Sequence, residues 1–109
     1  MKTVSPKISI VIPTLNEEKD IGNLLESIKK QSYKNHEIII IDGGSADNTV
    51  KISKKYTKNV FVLPKAGVTK SRNYGIKKSS GQIVHMMDAD NFLADKNYLR
   101  DVAYLFKKH

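Results

Sequence analysis

Residues 36–45 read HEIIIIDGGS. Four consecutive isoleucines leave no polar face, so a strand here has to be covered on both sides. The run stops at Asp42-Gly43-Gly44-Ser45, residue types that favour a turn. Burial on both faces is the mark of a parallel sheet sandwiched between helices, and the rest of the chain can be read outward from this segment.

Upstream, Lys7–Ile12 (KISIVI) is a second β-branched run, closed by Pro13. Between the two, Ile21, Leu24, Leu25 and Ile28 recur at i, i+3, i+4 and i+7, the stripe of an amphipathic helix over Glu17–Gln31. Asn16 is placed to cap it, and Glu17, Glu18 and Asp20 sit near its positive end. Downstream, a helix is expected from about Ala46 to Tyr56, with Ser45 or Asp47 as cap, then a strand at Val60–Leu63. Val68–Ser79 fits a helix that Gly81 helps terminate and that Gly75 weakens. Gln82–Met87 is a fourth strand, and Lys96–Lys107 carries Leu99, Val102, Ala103 and Phe106 along one helical face. Strands and helices alternate throughout. This predicts a single α/β domain over residues 1–109, a doubly wound, mostly parallel sheet with helices on both faces.

The chain has 109 residues, and the absence of cysteine excludes disulfides and thiolate metal sites. No apolar stretch approaches the roughly 18–20 residues that span a bilayer. The basic segment Met1–Lys7 is followed by an apolar run that ends too soon, at Pro13, to act as a signal peptide. The expected location is the cytoplasm. A net charge of +8 favours anionic partners such as nucleotides, nucleic acid or an acidic membrane surface. It therefore admits peripheral association with the inner face of a membrane. A lysine-rich solvated surface is the plainer account of the same charge.

In a doubly wound sheet, ligands bind beyond the carboxyl ends of the strands. Three of those ends are distinctive: Pro13-Thr14-Leu15-Asn16-Glu17, Asp42-Gly43-Gly44-Ser45 and Asp88-Ala89-Asp90-Asn91. The topology should collect Glu17, Asp42, Asp88 and Asp90 into one neighbourhood. Hard oxygen ligands suit Mg²⁺ or Mn²⁺, and Mg²⁺ usually takes one or two protein carboxylates with phosphate oxygens completing the shell. In an extended segment, residues i and i+2 face the same way, so Asp88 and Asp90 are expected to address one ligand. The small Ala89 leaves room for an approach to the backbone. The plain alternative is an acidic turn, since Asp and Asn are common at strand ends. Asp42 reads as an acceptor for a base or ribose, or as a simple turn residue.

Lys70-Ser71-Arg72-Asn73 lies near the start of the third helix, where cations and helical N–H groups suit a phosphate; an ordinary basic surface fits equally. His85, between Val84 and Met86, reads as a sheet histidine, since no second histidine stands at metal-ligand spacing. There is no G-x-S-x-G, no G-x-x-x-x-G-K-[ST] and no G-x-G-x-x-G. Basic residues interleaved with aromatics are also missing, so nucleic acid is not the expected partner.

The segments VIPTLNEEKDIGNLLESIKKQSYKNHEIIIIDGGSADNTVKI and GVTKSRNYGIKKSSGQIVHMMDADN closely resemble the family 2 glycosyltransferases, which have the GT-A fold. The resemblance runs from about Ser9 to Leu93. It implies transfer of a sugar from a UDP- or GDP-linked donor to an acceptor, a glycan or a lipid-linked carrier, with inversion. By resemblance, Pro13, Thr14, Leu15 and Glu17 line the nucleotide site and Asp42 contacts the base. Lys70 and Arg72 belong to the segment that holds the donor, Asp88 and Ala89 contact it, and Asp88 and Asp90 carry the Mn²⁺ or Mg²⁺ that bridges the diphosphate.

Family members are usually about twice this long or more, and inverting members take their catalytic base from an acidic residue well downstream. Only Asp95 and Asp101 follow Asp90, and neither matches a motif, so no base is assigned. The expectation is the donor half of the enzyme: an excised piece, a natural truncation or a protein completed by another subunit. Apolar residues on the helix near Tyr98–Phe106 point to oligomerisation or an additional chain. The competing reading is a non-catalytic nucleotide-binding or basic nucleic-acid-binding module.

Overall fold

A computed structural model describes residues 5–108, so most of the basic N-terminal segment read above lies outside the described residues. The elements are β1 (Ile8–Thr14), α1 (Ile21–Lys29), β2 (His36–Asp42), α2 (Thr49–Ser53), β3 (Val60–Val62), α3 (Gly67–Lys78), β4 (Ile83–Met86) and α4 (Tyr98–Lys108). The strands form one parallel sheet in the order β3-β2-β1-β4. The chain steps outward from β1 to β3, then crosses back to the far side of β1. Right-handed crossovers in opposite directions put the connecting helices on opposite faces. Ile8, Ile10, Ile12, Ile38 and Ile40 pack with α1 and with Leu99 and Ala103 of α4. Val11, Ile39 and Ile41 form the other core, with Tyr74 of α3 against them. The alternation of neighbouring isoleucines between the two clusters is the period of two working on both faces. It is the doubly wound architecture.

Pro13 sits inside β1, beyond the expected end of that strand. Parallel pairing alternates between the two neighbours, and residues 9, 11 and 13 address β4. That ladder has already finished at Val11↔Met86, so the N–H that proline lacks has no partner to lose. Strand β1 continues to Thr14, opposite Asp42.

Two helices are shorter than their patterns suggested, for local reasons. Asn16 has φ 54° and does not cap α1; its side-chain oxygen accepts the Ala46 N–H at 2.8 Å. Glu17–Asp20 form a turn, in which Asp20 and Ile21 donate to the Glu17 carbonyl, and the helix starts at Ile21. Asp47 accepts the N–H of Thr49 at 3.0 Å, which delays α2 to Thr49, while Ser45 is engaged elsewhere.

Gly75 lets α3 approach the sheet. A Cβ built there would stand 2.3 Å from Val11 Cγ1, inside any tolerable contact. The weak spot in the helical pattern is thus a packing requirement. On the α1 side, buried Gln31 donates to the Asp95 carbonyl at 2.8 Å and accepts the Leu99 N–H at 2.9 Å, fixing the start of α4. Beyond Ala103, the side chains of Tyr104, Leu105 and Phe106 are exposed. No helix among the described residues is long and apolar enough to cross a membrane.

Candidate functional site

Between the ends of β1 and β2 and the first turns of α3 lies a cleft of about 390 Å³. Four of the residues expected at a nucleotide line it: Pro13, Thr14, Leu15 and Glu17. Its other wall is Gly43, Lys65, Gly67, Val68 and Ser71; Gly43 and Ser71 belong to segments marked in the sequence, whereas Lys65, Gly67 and Val68 were not foreseen. Sequence did carry a signal for part of this wall, because Pro64-Lys65-Ala66-Gly67 follows the third strand at the same carboxyl edge as the other loops. Lys65 has φ 63°, and its N–H is held by the Gly43 carbonyl at 3.1 Å.

Asp42 does not join the other carboxylates. It is fully buried, and four hydrogen bonds fill its two oxygens. Oδ1 takes the hydroxyls of Thr14 at 2.7 Å and Ser45 at 2.6 Å; Oδ2 takes the N–H groups of Gly44 at 3.0 Å and Ser45 at 2.7 Å. A carboxylate has about four acceptor positions, so none remains for a base. Burial pushes its pKa up, but the bonds from Ser45, Thr14 and Gly44 outweigh that and hold it below the ordinary aspartate value. The reason for its direction is parity. Asp42 shares a face with Ile38 and Ile40, whereas the cleft opens on the α3 side, with Ile41 and Gly43. Asp42 is thereby removed from the expected neighbourhood of four carboxylates.

The other three expected there are Glu17, Asp88 and Asp90. Burial raises the pKa of Glu17, and Asp90, Asp20, Asp47 and Asp88 raise it further. Asp88 and Asp90 are exposed and stand on a turn, not on an extended segment. Asn91 closes that turn: its N–H donates to the Asp88 carbonyl at 3.0 Å and its side-chain oxygen accepts the Asp88 N–H at 3.0 Å. Ala89 is buried between them with Met87, anchoring the turn to the core. Arg72 Nη2 approaches Asp88 Oδ1 to 3.9 Å, so the guanidinium of α3 reaches the acidic turn. Lys70 does not line the cleft. It lies in a neighbouring groove with Lys65 and Lys77, because each residue turns a helix by about 100° and Ser71 takes the inward position. His85 meets the Tyr98 hydroxyl at 2.7 Å. No group of three or more potential metal ligands is assembled among the described residues.

A nucleotide-sized cleft at the carboxyl edge, flanked by an arginine and an acidic turn, is the setting in which comparison with known proteins is informative. The glycosyl transferase family 2 model matches residues 9–109. The chain belongs to glycosyltransferase family 2. Among curated relatives, the poly(ribitol-phosphate) beta-N-acetylglucosaminyltransferase TarS of Staphylococcus aureus is 32% identical over 111 residues, covering 94% of this chain and 19% of TarS. The uncharacterised glycosyltransferase YibD of Escherichia coli is 36% identical over 96 residues, covering 84% of this chain and 28% of YibD. The crystal structure of S. aureus TarS 1-349 with UDP-GlcNAc superposes with a TM-score of 0.84 at 33% identity, over 94% of this chain and 32% of that one. A mannosyltransferase from Pyrobaculum calidifontis, solved with GDP-Man and Mn²⁺, shares the fold with a TM-score of 0.86 at 24% identity, over 94% of this chain and 33% of that one. The chain therefore shares the GT-A fold of these two solved structures. The chain spans less than half the length of these family members.

Proposed function

We propose that this chain is the donor-binding part of an inverting, metal-dependent glycosyltransferase that moves a sugar from a nucleoside diphosphate to an acceptor hydroxyl. The observation that carries the reading is the union of the cleft with the acidic turn: Glu17 lines the first and feels the charge of the second, while Arg72 beside Ser71 reaches Asp88. The nucleoside is assigned to the cleft wall of Pro13, Thr14 and Leu15, and the diphosphate to the first turn of α3, where unpaired helical N–H groups favour negative charge. Arg72 adds a fixed cation for the charge that gathers on the departing diphosphate.

Asp88 and Asp90 suit Mg²⁺ or Mn²⁺, which take one or two protein carboxylates and draw the remaining oxygens from phosphate. Burial raises the proton affinity of Glu17, and the charges of Asp90, Asp20, Asp47 and Asp88 add to it; a divalent cation would offset that negative charge. When bound, such an ion supplies Lewis-acid stabilisation of the leaving group. Complexes of TarS with UDP-GlcNAc and of the mannosyltransferase with GDP-Man and Mn²⁺ support donors of both base types. No base is assigned for the acceptor hydroxyl. Asp95 accepts the Asn97 N–H, Asp101 pairs with Arg100, and neither lines the cleft.

The test is calorimetric titration with UDP, GDP and a panel of their sugar conjugates, with and without Mn²⁺. Binding should require the ion and fall at least tenfold in Asp90→Ala. Equal affinity with chelator present, or in the variant, refutes the assignment.

A further inference from the structure

We propose that Asp42, Ser45 and Asn16 form a positioning chain for the donor cleft, and that Asp42 acts through it without touching the bound nucleotide. The inference rests on the donor-binding reading. The Ser45 hydroxyl donates to Asp42 Oδ1 at 2.6 Å, and Ser45 Oγ itself accepts the Asn16 N–H at 2.8 Å. The side chain of Asn16 then accepts the Ala46 N–H at 2.8 Å. Two loops that follow different strands are thereby locked together through one buried carboxylate.

The residue at the centre of this lock is the one that bends the wall. Asn16 has φ 54°, in the left-handed region that asparagine enters more readily than most residues. The bend separates Leu15 from Glu17, both of which line the cleft. Glu17 is pinned on the far side, its N–H donating to Thr49 Oγ1 at 2.8 Å. Thr14, the next lining residue, is held directly by Asp42 at 2.7 Å. Thr14 directly, and the bend at Asn16 through Ser45, therefore take their positions from Asp42, whose own oxygens are saturated. A base contact by this carboxylate requires breaking one of its bonds in a site with no exposed surface.

The experiment compares Ser45→Ala, Asp42→Asn and the double variant with the unsubstituted chain. Affinity is measured with Mn²⁺ for UDP or GDP, whichever binds, and for the same nucleotide methylated at the base N–H (N3 of uracil, N1 of guanine). Amide hydrogen exchange is followed on the free protein. Ser45→Ala should weaken the nucleotide about fivefold or more, and the double variant should lose less than the product of the single losses, because one chain is broken twice. The ratio between native and methylated nucleotide should be the same in Asp42→Asn as in the unsubstituted protein. Exchange at Asn16 and Ala46 should quicken at least tenfold in Ser45→Ala. Unchanged affinity and exchange in Ser45→Ala overturn the proposal, as does collapse of the native-to-methylated ratio in Asp42→Asn. Failure of the unsubstituted protein to bind either nucleotide removes the donor-binding reading instead, and with it the chain's proposed purpose.

Discussion

Glu17 stands where the cleft meets the acidic turn, and its carboxyl holds a proton more tightly than an ordinary glutamate, through burial first and Asp90 next. A group whose pKa is higher folded than unfolded penalises folding once it is ionised. The penalty is complete above the raised pKa and fades as pH falls through it toward the ordinary carboxylate range. Glu17→Gln should therefore raise the melting temperature at pH 7, with the gain vanishing by about pH 4, where the free carboxyl is itself largely protonated. Scanning calorimetry of both proteins across that range checks it, and a gain independent of pH contradicts it. Asp42 has the opposite sign. Its lowered pKa contributes stability above the ordinary aspartate range, and that contribution is lost as acid protonates the folded form. Two carboxyls that follow neighbouring strands thus do different work, set by the hydrogen bonds that Asp42 receives and by the burial and like charges that Glu17 meets.

At the scale of elements, α3 is placed by Gly75. Helix propensity alone predicts that Gly75→Ala stabilises the chain by about 1 kcal/mol. The 2.3 Å approach to Val11 predicts the reverse, a loss of about 1–3 kcal/mol from overpacking. Urea denaturation decides the sign, and in a Val11→Ala background the penalty should shrink because the obstructing methyls are gone. This element also shows what a sequence displays and what it hides. HEIIIIDGGS and KISIVI announce strands covered on both faces, and the alternation of elements leads to the doubly wound sheet. The parity of Asp42 was legible too, since it continues the face of Ile38 and Ile40. Helix starts were not, because Asn16 and Asp47 divert the backbone through their side chains before the apolar stripe takes over. The turn at Asp88–Asn91 is local and stood among the alternatives, whereas the reach of Arg72 to it and the close approach at Gly75 depend on packing between segments distant in the chain. The exclusion of Lys70 from the cleft follows from helical rotation only once Ser71 is known to face inward.

For the whole molecule, the net charge is +8, while Glu17 of the candidate cleft feels the negative charge of Asp88 and Asp90 on the acidic turn. Two kinds of binding are therefore physically available, and they differ in what they require. A polyanion attracted by the general positive field needs no metal, weakens steeply with salt and is indifferent to two carboxylates. A nucleoside diphosphate held at the acidic turn needs a divalent cation to bring like charges together, and depends on Asp88 and Asp90. Any ligand that binds only the folded chain stabilises it by about 2.7 kcal/mol at a hundred times its dissociation constant. For a domain of about this size, each kcal/mol moves the melting temperature by roughly 4–8 °C. Saturating nucleotide sugar with Mn²⁺ should thus raise the transition by about 10 °C or more. Nucleotide without the ion should give a small fraction of that shift, and the Asp88→Asn, Asp90→Asn double variant should give the same small fraction with the ion present. Raising the salt from 50 to 200 mM should leave most of the metal-dependent shift in place, because an ion chelated between carboxylates and a diphosphate at contact distance is screened less than a diffuse surface field. A shift that needs no metal, survives both substitutions and collapses with salt identifies the positive surface, and not the acidic turn, as the part of this molecule that recognises its ligand.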